Sequence, residues 1–159
     1  MDLMIKNYLE RAESEIILSA SIKKLSDETE AKKFFDIEQQ RTFYSAVISH
    51  AYYSIFYAAK AMLLTKSIET SMPDVHKKTL GAFKEHFVDT GVLDIKLLEI
   101  YKKLVIRADE LLGIFKSEKK KRGDFTYSTI PQANQEPAED SIRNAKLFVS
   151  NIRKVILAP

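Results

Sequence analysis

His50, Ser54 and Tyr57 bring an imidazole, a hydroxyl and a phenol into a stretch that is otherwise largely apolar. His50 and Tyr57 are seven residues apart, so on a helix they lie almost in register, with Ser54 between them. Such a strip could bind a phosphate or a ribose, or move a proton. His50 is the one weak candidate for a catalytic group. The alternative is structural: imidazoles and phenols are amphipathic and often sit at a bundle edge with their polar tips satisfied. Residue pattern alone favours that alternative.

A second place of interest is Lys119-Lys120-Lys121-Arg122-Gly123-Asp124-Phe125-Thr126-Tyr127. Basic residues with nearby aromatics can hold phosphates and stack bases, which makes Lys121, Arg122, Asp124 and Tyr127 candidate nucleotide- or RNA-binding residues. The competing explanation is that lysines at a helix end complement its dipole and are solvated. Arg122 could equally be tied to Asp124 or to loop carbonyls.

Other chemistries are excluded or disfavoured. His50, His76 and His86 are preceded three positions earlier by Val47, Pro73 and Phe83, so no Glu-x-x-His pair exists to build a di-iron site. No two histidines share helical ligand spacing, and without cysteine there is no thiolate nucleophile or thiolate metal site. No metal is expected. Neither Gly-x-Gly-x-x-Gly nor a Walker loop occurs, nor a serine nucleophile elbow, and no cofactor is expected.

The elements that would carry these residues are helices. The chain has 159 residues, 45% hydrophobic and 30% charged, with only 4 Gly and 4 Pro, too few turn residues for a sandwich or barrel. Five helices are predicted. The first runs from about Asp2 to Leu25 with Asp2 as N-cap, and the polar stretch from Ser26 to Lys33 reads as a connection, in part helical. The second, from about Ile37 to Lys66, is the most apolar. Val47, Ala51, Ile55, Ala58 and Met62, widened by Ile48, Tyr52, Phe56, Ala59 and Leu63, cover about half its circumference, so it should run through the middle of the bundle. His50, Tyr53, Ser54, Tyr57 and Lys60 fill its remaining strip. Ser71 and Asp74 suggest a capping box opening the third helix, with Pro73 in the first turn and Gly91 as the stop. Asp94 caps the fourth, whose stripe is Leu98, Tyr101, Val105, Ala108, Leu112 and Phe115. The segment from Gly123 to Asn134 reads as a loop, and the fifth helix spans about Pro137 to Leu157. The fold class is therefore all-α, an antiparallel helical bundle forming a single domain over residues 1–159.

A net charge of +3 permits a phosphate-bearing partner without requiring one. The amino-terminal stretch lacks the features of a signal peptide, and no apolar run approaches a membrane span. The expectation is a cytoplasmic protein without membrane contact.

The stretch from Arg41 to Leu64, with its alternating small and aromatic residues around His50-Ala51-Tyr52-Tyr53 and Tyr57-Ala58-Ala59-Lys60-Ala61, resembles the second helix of prokaryotic HEPN-domain proteins. The amino-terminal Tyr8-Leu9-Glu10-Arg11-Ala12, the pair His76-Lys77 and the loop Arg122-Gly123-Asp124-Phe125-Thr126-Tyr127 resemble further parts of that family. The resemblance implies a helical bundle, often a homodimer, with a role in RNA cleavage or nucleotide binding. It also implies frequent pairing with a small nucleotidyltransferase acting as antitoxin or partner. Ribonuclease members carry an Arg followed, after four to six intervening residues, by a His. Here His50 stands at the position matching the Arg and Tyr57 at the position matching the His.

The resulting expectation is a HEPN-like nucleotide- or RNA-binding module without efficient ribonuclease activity, partnered in a toxin–antitoxin-type system. The first alternative is a structural homodimer or protein-docking module with no nucleotide ligand. The second is a metal-independent endoribonuclease with a substituted site, in which His50 is the base and Arg122 or Lys121 supplies charge.

Overall fold

In the computed structural model, which describes residues 1–115 and 134–159, those residues form six helices. The first, α1 (Leu3–Asp27), starts where the Asp2 carboxylate accepts the Met4 N–H at 2.7 Å, as the sequence predicts. The connection after it contains a short helix, α2 (Thr29–Phe34), which raises the expected five helices to six.

The long central helix, α3 (Tyr44–Leu64), begins seven residues later than the hydrophobic pattern suggests. The reason is tertiary. The Ile37 N–H donates to the Lys32 carbonyl, the buried Lys32 ammonium donates to the Gln39 carbonyl, and the Phe43 N–H donates to Ser26 Oγ at 2.7 Å. These bonds commit residues 37–43 to α1 and α2 and leave them no helical ladder to join.

The fourth helix, α4 (Val75–Phe83), also starts later than expected and runs on into a π-helical turn, Lys84–Val88. Ser71 is not its cap. Asp74 is, in a left-handed conformation (φ 55°) and without a side-chain capping bond, so Pro73 lies before the helix rather than in its first turn. Gly91, at φ 77°, makes the turn out of this segment. Asp94 caps α5 (Ile95–Leu112) by accepting the Lys96 N–H at 2.8 Å. That helix stops at Gly113 (φ 63°), so Phe115 of the expected stripe lies just beyond it. The last helix is α6 (Gln135–Leu157).

Helix α3 packs against α1, α4, α5 and α6 and is the axis of the bundle. Its alanines Ala51, Ala58, Ala59 and Ala61 are fully buried, and their small size lets the neighbouring backbones approach closely. On the α5–α6 side the space is filled by Phe83, Tyr101 and Phe148, whose ring centroids are 5.5–5.7 Å apart. Helix α1 runs antiparallel to α3: Ser19 Oγ donates to the Val47 carbonyl at 2.7 Å, while Tyr8, near the other end of α1, stacks on Tyr57. It is also antiparallel to α6, with Lys23–Glu139 at 3.2 Å and Arg153–Glu13 at 2.7 Å marking the two ends of the contact. No helix among the described residues is long and apolar enough to cross a membrane.

Candidate functional site

Residues of α3 advance by about 100° each. On that wheel the buried positions sweep from Ala61 and Ser54 through Val47, Ala51 and Ile55 to Phe56. The half-buried His50, Tyr53, Tyr57 and Lys60 occupy the arc that remains. Ser54 lies only about 40° from His50, yet it falls on the inner side. It is fully buried, and its hydroxyl donates to the Ala51 carbonyl of its own helix at 2.6 Å. The structure therefore removes Ser54 from the accessible strip: that hydroxyl is committed to the backbone.

His50 is fixed from α1. Its Nδ1 lies 2.6 Å from a carboxylate oxygen of Glu15. A carboxylate only accepts, so Nδ1 carries a proton and donates it; in the neutral imidazole the lone pair is then on Nε2. The arrangement is that of a histidine oriented by a carboxylate on one of its nitrogens. The ring retains partial exposure, 30% at the side chain.

One turn earlier on α1, the Arg11 guanidinium stands 4.4 Å from the Tyr57 ring centroid. Burial raises the Tyr57 phenol above its ordinary range, and the Arg11 charge only partly offsets this. Tyr57 is therefore a neutral hydroxyl at physiological pH. Burial, followed by the Glu15 charge, raises Tyr53 in the same way. Tyr8 stacks on Tyr57 with centroids 6.1 Å apart, and the Lys60 ammonium is 5.2 Å from the Tyr8 ring. The α1–α3 seam thus presents, in order, Glu15–His50, Tyr53, Arg11–Tyr57, Tyr8 and Lys60.

A second wall comes from α4. His76 Nδ1 is 2.8 Å from the hydroxyl of buried Tyr52, and its ring lies 4.4 Å from Phe56 and 6.0 Å from Tyr53. Phe115, at the exit of α5, packs 6.1 Å from the same imidazole. Lys121, Arg122, Asp124 and Tyr127 lie outside the described residues.

His50 and Tyr57 lie on the same half-buried strip of α3, each in ring contact with Tyr53 between them. The sequence pattern does not mark Arg11 and Glu15 as site residues. Their four-residue separation places them on one face of α1, but nothing local shows that this face meets His50. Among the described residues there is no group of three or more His, Asp or Glu side chains able to hold a metal ion.

A helical bundle with an aromatic and basic seam between its first and central long helices is the class that this fold and site define. The family model of the HEPN domain matches residues 25–155. The chain belongs to the HEPN-domain family. It is similar to a protein of Methanocaldococcus jannaschii named "Putative toxin", 30% identical over 113 residues that make up 71% of each chain. A second protein of that organism with the same designation is 28% identical over 116 residues, 73% of this chain and 67% of its own. The UPF0332 protein of Thermotoga maritima is 30% identical over 111 residues, covering 70% of this chain and 71% of that one.

Proposed function

We propose that this chain is a HEPN module that binds a nucleotide or RNA along the α1–α3 seam, without efficient cleavage, and that it works in a toxin–antitoxin-type pair. The observation that carries the reading is the joining of the His50–Glu15 pair to Arg11 and Tyr57 on one partly exposed strip. Arg11 supplies charge for a phosphate, Tyr57 a hydroxyl donor and a ring face for stacking, and His50 Nε2 an acceptor for a ribose hydroxyl. Lys121, Arg122, Asp124 and Tyr127 are proposed as further binding residues from the segment that follows Phe115. The toxin designation of two relatives supports the toxin–antitoxin setting, and the family resemblance supports a nucleotidyltransferase as partner and a homodimeric assembly.

Weak or absent cleavage follows from the residues themselves. In-line attack by a ribose 2′-hydroxyl needs a base and a cation near the phosphate. His50 and Arg11 fill these roles in kind. Tyr57, at the position matching the family's histidine, stays protonated and cannot act as the second titrating group.

The test is binding of short RNA and of mononucleotides at low and moderate salt. Arg11→Glu and His50→Ala should each weaken binding about tenfold or more. Arg11→Glu, and charge reversal at Lys121 and Arg122, should flatten the salt dependence by about one unit of slope for each phosphate that is no longer neutralised. A mixed RNA pool should survive hours with stoichiometric protein. RNA fragments bearing cyclic phosphate would support the ribonuclease reading instead. Absence of binding by the wild type at either salt would reject the ligand assignment.

A protein-docking role has its own observation. Phe34 and Phe35, at the end of α2, are 80% and 60% exposed and pack edge to face on each other. Exposed aromatics of this kind suit a protein interface. Phe34→Ser/Phe35→Ser should abolish capture of a partner nucleotidyltransferase while leaving nucleotide affinity unchanged.

A further inference from the structure

At the far end of the seam from His50, a cavity of about 100 Å³ opens between the start of α1 and the end of α3. Tyr8, Leu63, Leu64 and Ile68 wall it, and Lys60, Glu69 and Thr70 stand at its polar edge. We propose that this cavity is a nucleobase subsite, taking the base of a nucleotide whose phosphate lies at Arg11. The inference rests on the nucleotide reading above and adds to it where the base goes and what selects it.

Three features carry it. The first is continuity: Tyr8 lines the cavity and is also stacked on Tyr57, the ring beneath Arg11, so the cavity and the cationic position share a wall. Tyr8 precedes Arg11 by three residues, about 4.5 Å along the helix axis, which suits the reach from the phosphate of a single nucleotide to its base. The second is shape and polarity. The walls are aromatic and aliphatic, the cavity is small enough to admit one flat ring system, and a base offers π-faces to such walls whatever its sequence.

The third feature is the polar edge. Lys60 Nζ donates to the Thr70 carbonyl at 3.2 Å, which fixes the ammonium at the rim and leaves two of its three protons for a ligand. The exposed Glu69 carboxylate supplies acceptors beside those donors. Donors and acceptors side by side can read a base edge, whereas a bare phosphate would be drawn to Lys60 and repelled by Glu69. The same geometry sets direction. With the base at Tyr8 and the phosphate at Arg11, the chain of a longer RNA continues toward Tyr53 and His50.

The experiment compares the four nucleoside 5′-monophosphates with ribose 5-phosphate, which has the phosphate and sugar but no base. Affinities are measured calorimetrically for wild type, Ile68→Trp and Glu69→Gln. The wild type should bind at least one monophosphate about tenfold or more tighter than ribose 5-phosphate. Ile68→Trp fills the cavity and should erase that difference while leaving ribose 5-phosphate affinity unchanged. Glu69→Gln should change the ranking among bases. Amide shifts of the wild type provide a readout that does not depend on a variant folding: Leu63, Ile68 and Thr70 should move with a monophosphate and stay still with ribose 5-phosphate. Equal affinity for monophosphates and ribose 5-phosphate, with those amides unmoved, would overturn the base subsite and leave the phosphate site at Arg11 standing. Failure of every one of these compounds to bind would overturn both.

Discussion

Glu15 decides how His50 can behave. An imidazole alone exchanges its proton between two nitrogens, but a carboxylate 2.6 Å from Nδ1 holds the proton there. Nitrogen-15 correlation spectra of the neutral imidazole should therefore show His50 as the Nδ1–H tautomer, and Glu15→Ala should return it to a mixture. The same substitution should weaken RNA binding less than His50→Ala, because the imidazole remains. Arg11 acts on Tyr57 in a comparable way. Burial raises the phenol and the guanidinium pulls it part of the way back, so Arg11→Ala should shift the Tyr57 titration further upward, as read by ultraviolet difference absorbance against a Tyr57→Phe reference.

Helix α6 depends on a charge cluster beneath its first turns. Asp140 accepts from Lys103 at 2.7 Å, from Arg107 at 2.8 Å and from Arg143 at 2.9 Å. Burial alone would raise this carboxyl, but hydrogen bonds from Lys103, Arg107 and Arg143 outweigh it and hold the group well below the usual carboxylate range. A depressed carboxyl stabilises the fold above its unfolded value, about 4, and loses that contribution as pH falls toward the folded value. Asp140→Asn should cost on the order of 2 kcal/mol at neutral pH. It should also flatten the fall of stability below about pH 4, measured by urea unfolding at stepped pH. Nothing in the α6 pattern alone marks Asp140. Two of its partners, Lys103 and Arg107, are on α5, and only the packing of α5 on α6 brings them to it. By contrast, the extent of α6 and its inward Ile142, Ala145, Phe148 and Ile152 were legible, because helical periodicity is local.

At the scale of the molecule, α3 is enclosed on several sides, and the bundle tolerates little change there. Ala58 is fully buried in the cluster that joins α3 to its neighbours. Ala58→Leu should destabilise by about 1–3 kcal/mol through overpacking, with a lower thermal midpoint and an unchanged helical signal. Tyr101 carries the opposite expectation. Its hydroxyl is buried without a hydrogen-bond partner among the described residues, so Tyr101→Phe should be neutral or raise stability by about 1 kcal/mol. Tyr52 differs, because its hydroxyl meets His76.

The all-α class, the central place of α3 and the His50–Tyr57 strip were present in the sequence, because side-chain periodicity along a helix is set by the backbone itself. Helix starts at residues 44 and 75 were not, because a helix begins where tertiary hydrogen bonds release the chain, as Ser26 and Lys32 do for the segment before α3. Ser54 shows the same limit within a single turn: the wheel places it beside His50, and packing decides that it faces inward. The Arg11–Glu15 face of α1 becomes part of the site only through an antiparallel seam between residues 35 positions apart, Glu15 and His50. Local spacing fixes which residues share a face. Which two faces meet depends on how all the helices fill the core together, and that is settled only in three dimensions.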